Sequence, residues 1–243
     1  MPITSATNKH IVEARRLARA NARRESGRFV AEGEDLNEAA AAAGTAAHYV
    51  LRVEGRTDAP AGAASIEVSP ALMAKISTLG SSSRVIGVYE QRWGTPEGPL
   101  AVALWGVRDP GNVGTVLRAA VAFGAATVVL GPGCADPYSP KAVRASMGAI
   151  FRGNIARCSS LAELPGRVVA LVPAMGEPLD GPIEGTVTLL LGGERLGLPD
   201  ALVAQCHEVR HIPQVSGDSL NVAMAATVAL YELTRGDTRM AAA

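Results

Sequence analysis

The side chains best suited to chemistry fall in three stretches that lie far apart in the chain. Asn112 and Arg118 are six residues apart, which puts an amide at a helix start and a guanidinium between one and two turns further in. Gly192-Gly193-Glu194 ends an apolar run in two glycines and a carboxylate. Ile212-Pro213 leads through a polar loop to Ser219-Leu220-Asn221, where a long helix is expected to open. Two strand ends and a helix start thus meet in about thirty residues, the way α/β proteins build ligand sites beyond the carboxyl ends of parallel strands. An arginine inside an Ala/Val-rich helix needs a partner if buried. Glu194 could be that partner, or Arg118 and Glu194 could together hold an anionic substrate.

Two other chemistries are weighed against this one. Gly217-Asp218-Ser219-Leu220 has the letters of the GDSL esterase motif. All four histidines, His10, His48, His207 and His211, precede Ser219, whereas that family places its Asp-x-x-His after the serine. A serine nucleophile needs an activating base, and an N-cap role for Ser219 is sufficient. Gly131-Pro132-Gly133 follows a strand, but Asp136 stands where a dinucleotide fingerprint needs its third glycine, and Pro137-Tyr138-Ser139-Pro140 cannot continue a helix.

The elements that must position these residues are legible as alternating strands and helices. The continuous apolar run Leu100 to Trp105 reads as a strand buried on both faces, and Thr127 to Leu130, Val168 to Val172, Val187 to Leu191 and Glu208 to Ile212 read as further strands. Helices are expected over Val113 to Phe123 and from Ser219 to about Thr234, and a short one from Pro140 carrying Lys141, Arg144 and Arg152. This pattern argues for an α/β domain with a mostly parallel sheet over residues 100–243. Residues 92–99, rich in Pro and Gly, read as a linker, and residues 1–91 as a smaller α/β domain. That domain opens with an amphipathic segment, Lys9 to Arg28, with seven Lys or Arg against two Glu, a local surplus of five. Such a run is either a solvated face or a phosphate-binding one.

The bulk figures narrow the class. The formal net charge is zero, which argues against a uniformly basic nucleic-acid binder and leaves local patches open. The three cysteines form no C-x-x-C pair and suggest neither a metal site nor a disulfide framework. No apolar run reaches membrane-spanning length and no signal-peptide core is evident, so a soluble, cytoplasmic protein is expected.

Taken together, Asn112-x5-Arg118 with Phe123-Gly124, Leu191-Gly192-Gly193-Glu194-x2-Gly197-Leu198, and Ile212-Pro213-x5-Ser219-Leu220-Asn221-Val222 resemble the three motifs of the SpoU/TrmH family. These are SPOUT-class RNA 2'-O-ribose methyltransferases, and the likeness covers roughly residues 100–235. The stretch Arg23 to Gly33 resembles that family's RNA-binding extension, a ribosomal-protein-like α/β module. The resemblance implies a C-terminal trefoil knot, a rare topology, and a homodimer packed through the knotted domain. It implies S-adenosylmethionine as cofactor, contacted by Gly192, Ile212 and Leu220, with Val172 and Pro173 as further candidates.

By the same resemblance Arg118 activates the ribose hydroxyl, with Asn112, Glu194, Ser219 and Asn221 orienting it and the ribose. A guanidinium is a poor base, so Arg118 would be strongly perturbed, relay through a substrate phosphate, or stabilise the developing alkoxide. Arg23, Arg24, Arg28, Lys141, Arg144 and Arg152 are the candidate RNA contacts. Ribosomal RNA is favoured over transfer RNA, since family members with this extension more often modify the former. The chain departs from the pattern at Gln214, where an apolar residue is usual, at Ala223, where serine is frequent, and in a loop before Ser219 about one residue short. The alternative from another class is a non-catalytic RNA-binding or assembly protein that keeps the fold.

Overall fold

The computed structural model describes residues 1–55, 64–78, 83–216 and 219–235. Gly217 and Asp218, and with them the middle of the shortened loop, lie outside the described residues. The chain forms two compact units, Met1–Gln91 with Asp136–Arg152, and Arg92–Ala135 with Gly153–Ala243.

In the first unit the basic segment is two helices, not one. Helix α1 (Lys9–Arg16) is capped by Asn8, whose side chain accepts from the His10 amide. The chain then turns, and α2 (Ala20–Ser26) starts from an extended Arg19 and ends at Gly27, whose φ of 67° is the left-handed conformation that suits glycine. The break is stabilised from within. Arg23 folds back so that its Nη1 donates to the carbonyls of Leu17 at 2.9 Å and Ala18 at 3.0 Å.

Strands β1 (Arg28–Glu32), β2 (Tyr49–Val53), β3 (Ser65–Val68) and β4 (Val85–Glu90) form a mixed sheet in the order β1-β4-β2-β3. Ile11 and Leu17, and Leu72 and Met73 of α4 (Pro70–Ile76), share one core with Val30, Tyr49, Leu51 and Val88. Phe29 and Tyr89, at the neighbouring alternate positions, supply an aromatic layer instead. Phe29 meets Tyr138 at 4.9 Å between ring centroids, and Tyr89 meets Phe151 at 4.9 Å. Residues 136–152, which the sequence pattern assigns to the second domain, therefore belong to the first unit. Among them is α6 (Pro140–Ala145), which packs on β1 near α3 (Glu34–Ala42).

The second unit is built on a seven-stranded sheet of order β7-β6-β5-β10-β8-β11-β9, with every pairing parallel. Its strands are β5 (Leu100–Trp105), β6 (Thr127–Leu130), β7 (Asn154–Arg157), β8 (Arg167–Leu171), β9 (Glu177–Pro178), β10 (Val187–Gly192) and β11 (Glu208–His211). Central strands are mostly apolar because both faces are covered: Val102, Ala103, Leu189 and Leu190 are fully buried. Helices α5 (Pro110–Ala122) and α8 (Val222–Thr234) pack against each other, and the short α7 (Asp200–Val203) precedes β11.

Residues 92–99 are not an unattached linker. Gly94 N donates to Ile155 O at 2.9 Å, Asn154 Nδ2 to Thr95 O at 3.0 Å and Glu97 N to Thr127 Oγ1 at 3.2 Å. Lacking a regular hydrogen-bond ladder of its own, this Pro/Gly segment uses those of β7 and β6.

Candidate active site

Helix α5 starts at Pro110, three residues before the expected Val113, and for a local reason. Asp109 is its N-cap, accepting from the Gly111 amide at 2.6 Å and the Asn112 amide at 3.2 Å, with Pro110 in the first turn, where a missing N–H costs nothing. Helix α8 starts three residues later than expected. Its N-cap is Asn221, not Ser219: Asn221 Oδ1 accepts from Ala223 N at 2.9 Å and Met224 N at 3.3 Å.

That cap fixes the direction of a hydrogen-bond chain. With the Asn221 oxygen committed to α8, its Nδ2 donates to Asn112 Oδ1 at 3.2 Å. Asn112 must then turn its own Nδ2 outward, and it donates to Glu194 Oε1 at 2.6 Å. Three residues separated by 82 and 109 positions are thereby held in one row. The carboxylate lies beside the first turn of α5, where the helix dipole favours negative charge.

Glycines let the strand ends close up. Gly192 pairs with Trp105 in the parallel register of β10 and β5. A Cβ at Gly193 would come within 2.2 Å of the Gly106 carbonyl oxygen, and one at Gly192 within 2.3 Å of the Gly197 carbonyl carbon. Only glycine permits this backbone approach.

Beyond the carboxyl ends of β8, β10 and β11 lies a cleft of about 370 Å3, the size of a small-molecule site. Val172, Pro173, Gly192, Ile212 and Leu220 all line it, as do Glu194 and Ser219. Val222 and Ala225, which belong to the third motif stretch, line it too, and so do Leu171, Arg195 and Leu196, which sequence reasoning did not single out. The walls are mostly aliphatic side chains and main chain, with Glu194, Arg195, Gln214 and Ser219 as the polar members.

Of the two readings open for Arg118, the structure removes the buried ion pair with Glu194. Arg118 is exposed on α5, and no hydrogen bond or ion pair among the described residues involves it. Glu194 is the partner of Asn112, so Arg118 is no buried charge in need of compensation. Cys134 adds no nucleophile: its Sγ donates to Leu104 O at 3.1 Å and burial raises its thiol pKa. Burial likewise pushes Cys158 up to about 11. No group of three or more His, Cys, Asp or Glu suited to a metal occurs among the described residues.

The candidate RNA contacts divide sharply within the first unit. Arg23 is buried, its Nη2 paired with Asp136 Oδ2 at 2.7 Å. With its other nitrogens also bonded, it is a structural residue and not a phosphate contact. Arg28 is half-buried and paired with Glu13 at 2.7 Å. Arg24, Lys141, Arg144 and Arg152 are exposed.

Comparison with known proteins assigns the chain. Residues 99–231 match the model of the SpoU rRNA Methylase family, and residues 8–87 that of the MRM3-like substrate binding domain. The crystal structure of an AdoMet-bound rRNA methyltransferase from Sinorhizobium meliloti superposes with a TM-score of 0.86 at 32% identity, over 97% of each chain. The SpoU methyltransferase AviRb of Streptomyces viridochromogenes, in complex with AdoMet, gives a TM-score of 0.82 at 27% identity, over 94% of this chain and 97% of that one. The 23S rRNA (guanosine(2553)-2'-O)-methyltransferase RlmP of Bacillus subtilis (strain 168) is 29% identical over 95% of this chain and 98% of its own length. With the family's model spanning most of the parallel-sheet unit and its members aligning from end to end, this chain belongs to the SpoU rRNA methylase family.

Proposed function

We propose that this protein transfers a methyl group from S-adenosylmethionine to a ribose 2'-hydroxyl of ribosomal RNA. The observation that carries the reading is the Glu194–Asn112–Asn221 row beside the apolar cleft. The cleft fits the cofactor: Leu171, Leu198, Ile212 and Leu220 offer apolar surface, and Gly192 and Gly193 bring main chain to its edge. When bound, the cofactor supplies a methyl group made electrophilic by the sulfonium.

The protein's part is to orient the hydroxyl and remove one proton. Glu194 and the two asparagines are held rigidly enough to fix the ribose. Arg118 keeps an exposed guanidinium free for the incoming RNA, which favours stabilising charge on the 2'-oxygen or on an adjoining phosphate over acting as a base. The exposed Arg24, Arg144 and Arg152 are the remaining phosphate candidates of the first unit, along with Lys141.

The knot, the homodimer and a cytoplasmic setting are parts of the same proposal. In support of a knot, β10 lies in the sheet between β5 and β8, and after β11 the chain returns to Asn112 and packs α8 on α5. Met224, Val228 and Tyr231 form an exposed apolar stripe at helical spacing on α8, suited to a second copy. Among the described residues no helix is long and apolar enough to cross a membrane.

The deciding experiment is methyl transfer from labelled cofactor to unmodified rRNA transcripts, followed by mapping of the labelled nucleotide. Incorporation at one ribose is expected. Stoichiometric RNA binding without incorporation would instead identify a non-catalytic assembly protein. Sedimentation of the same preparation should give a dimer, and a monomer at micromolar concentration would refute the stripe's assignment.

A further inference from the structure

We infer that Arg195 is a binding residue for an RNA backbone phosphate beside the nucleotide to be methylated, an inference that rests on the methyl-transfer reading. Arg195 sits on a tight hairpin, Gly193 to Gly197, closed by Gly197 N donating to Gly193 O at 2.9 Å. Gly197 turns it with φ +61°, and its base is fixed by the close packing of Gly193 against Gly106 and of Gly192 against Gly197. A hairpin clamped at its base presents its tip residues in a set arrangement. Glu194 goes to Asn112, Arg195 lines the cleft, and Leu196 stands 86% exposed.

Two features of Arg195 point to an anion arriving from solvent. It is the one cation among the residues that line the cleft. It is also exposed, with no hydrogen bond or ion pair to any described residue, because its acidic neighbour Glu194 is engaged by Asn112. Glu194 would by itself repel a polyanion approaching the cleft. A guanidinium on the next residue cancels that repulsion and offers a planar fork that matches two phosphate oxygens. Phosphate contacts of this kind set register and leave base identity to other groups.

The test compares wild type, Arg195→Ala and Arg195→Lys on in-vitro-transcribed, unmodified rRNA of both subunits. It measures RNA KM, kcat, the salt dependence of RNA binding, and cofactor affinity by calorimetry. The alanine variant is expected to raise RNA KM about tenfold, to lower kcat by at most about twofold, and to make the log–log salt slope shallower by about one unit. Lysine should restore the slope and part of the KM, and cofactor affinity should stay at the wild-type value in both variants. Weakened cofactor binding with unchanged RNA KM and slope would overturn the assignment and give Arg195 to the cofactor. Identical behaviour of Arg195→Ala and wild type would overturn it too, leaving a solvated loop tip. Should wild type bind both ligands yet move no methyl group, the activity reading fails, while the salt slopes still decide the role of Arg195.

Discussion

Arg23 and Arg118 stand on helices of different units, and their surroundings differ in every respect. Arg23 has 4% of its side chain exposed and spends its hydrogen-bond donors on Asp136 and on the two carbonyls released where α1 stops. Arg118 is exposed, with no partner among the described residues. The first is an internal strut that makes a helix break stable. The second is a charge held ready on a rigid helix whose buried side is fixed by Val113, Val116, Leu117 and Ala120. A cation is available for substrate only where the fold leaves its donors unused, whatever the charge density of the segment it comes from.

Breaking the strut should produce the largest effect. Arg23→Met should lower unfolding stability by about 3 kcal/mol, because it leaves a carboxylate and two carbonyls without their donor. Urea denaturation measures this, and a loss near zero would mean that water replaces the guanidinium. Arg118→Ala should leave the urea midpoint nearly unmoved, within about 0.5 kcal/mol, and lower the methyl-transfer rate by about 10² to 10³. Retained turnover would remove Arg118 from the chemistry. The smallest effect is expected at Arg24, next in sequence to Arg23 but exposed. Arg24→Glu should weaken RNA binding by about two- to fivefold and flatten its salt dependence, and an unaltered slope would make Arg24 an ordinary solvated side chain.

Much of the second unit can be read from its residues, because parallel strands buried on both faces are mostly apolar. Leu100 to Trp105 and Val187 to Leu191 are such runs, and both are central strands. Strands β7 and β9 escape this reasoning: Asn154-Ile155-Ala156-Arg157 has too short an apolar stretch, and Glu177-Pro178 has none. Both helix starts differ from the expected ones by three residues: α5 begins earlier than Val113, behind the Asp109 cap, and α8 begins later than Ser219, behind Asn221. Which residue accepts the amides depends on backbone geometry that residue type does not encode.

The cofactor-cleft residues lie close together because they follow three neighbouring strands, a consequence of topology that spacing can suggest. The side of α5 that Arg118 occupies is another matter. Ala119 and Ala120 beside it are buried, and helical periodicity in so alanine-rich a stretch leaves the orientation undetermined. The buried state of Arg23 depends on Asp136, 113 residues away, and no local pattern reaches that far.

Residues 136–152 bear on how this protein can be taken apart and recombined. They are encoded between β6 and β7, yet they complete the aromatic layer over Phe29 and Tyr89 and bring Asp136 to Arg23. A single cut near residue 92 therefore divides the gene without dividing the cores. The front fragment would lack Tyr138, Phe151 and the counter-ion of the buried Arg23. Any exchange of RNA-binding modules between relatives would have to transplant two stretches of sequence at once, so point-by-point drift is the easier route to a new target.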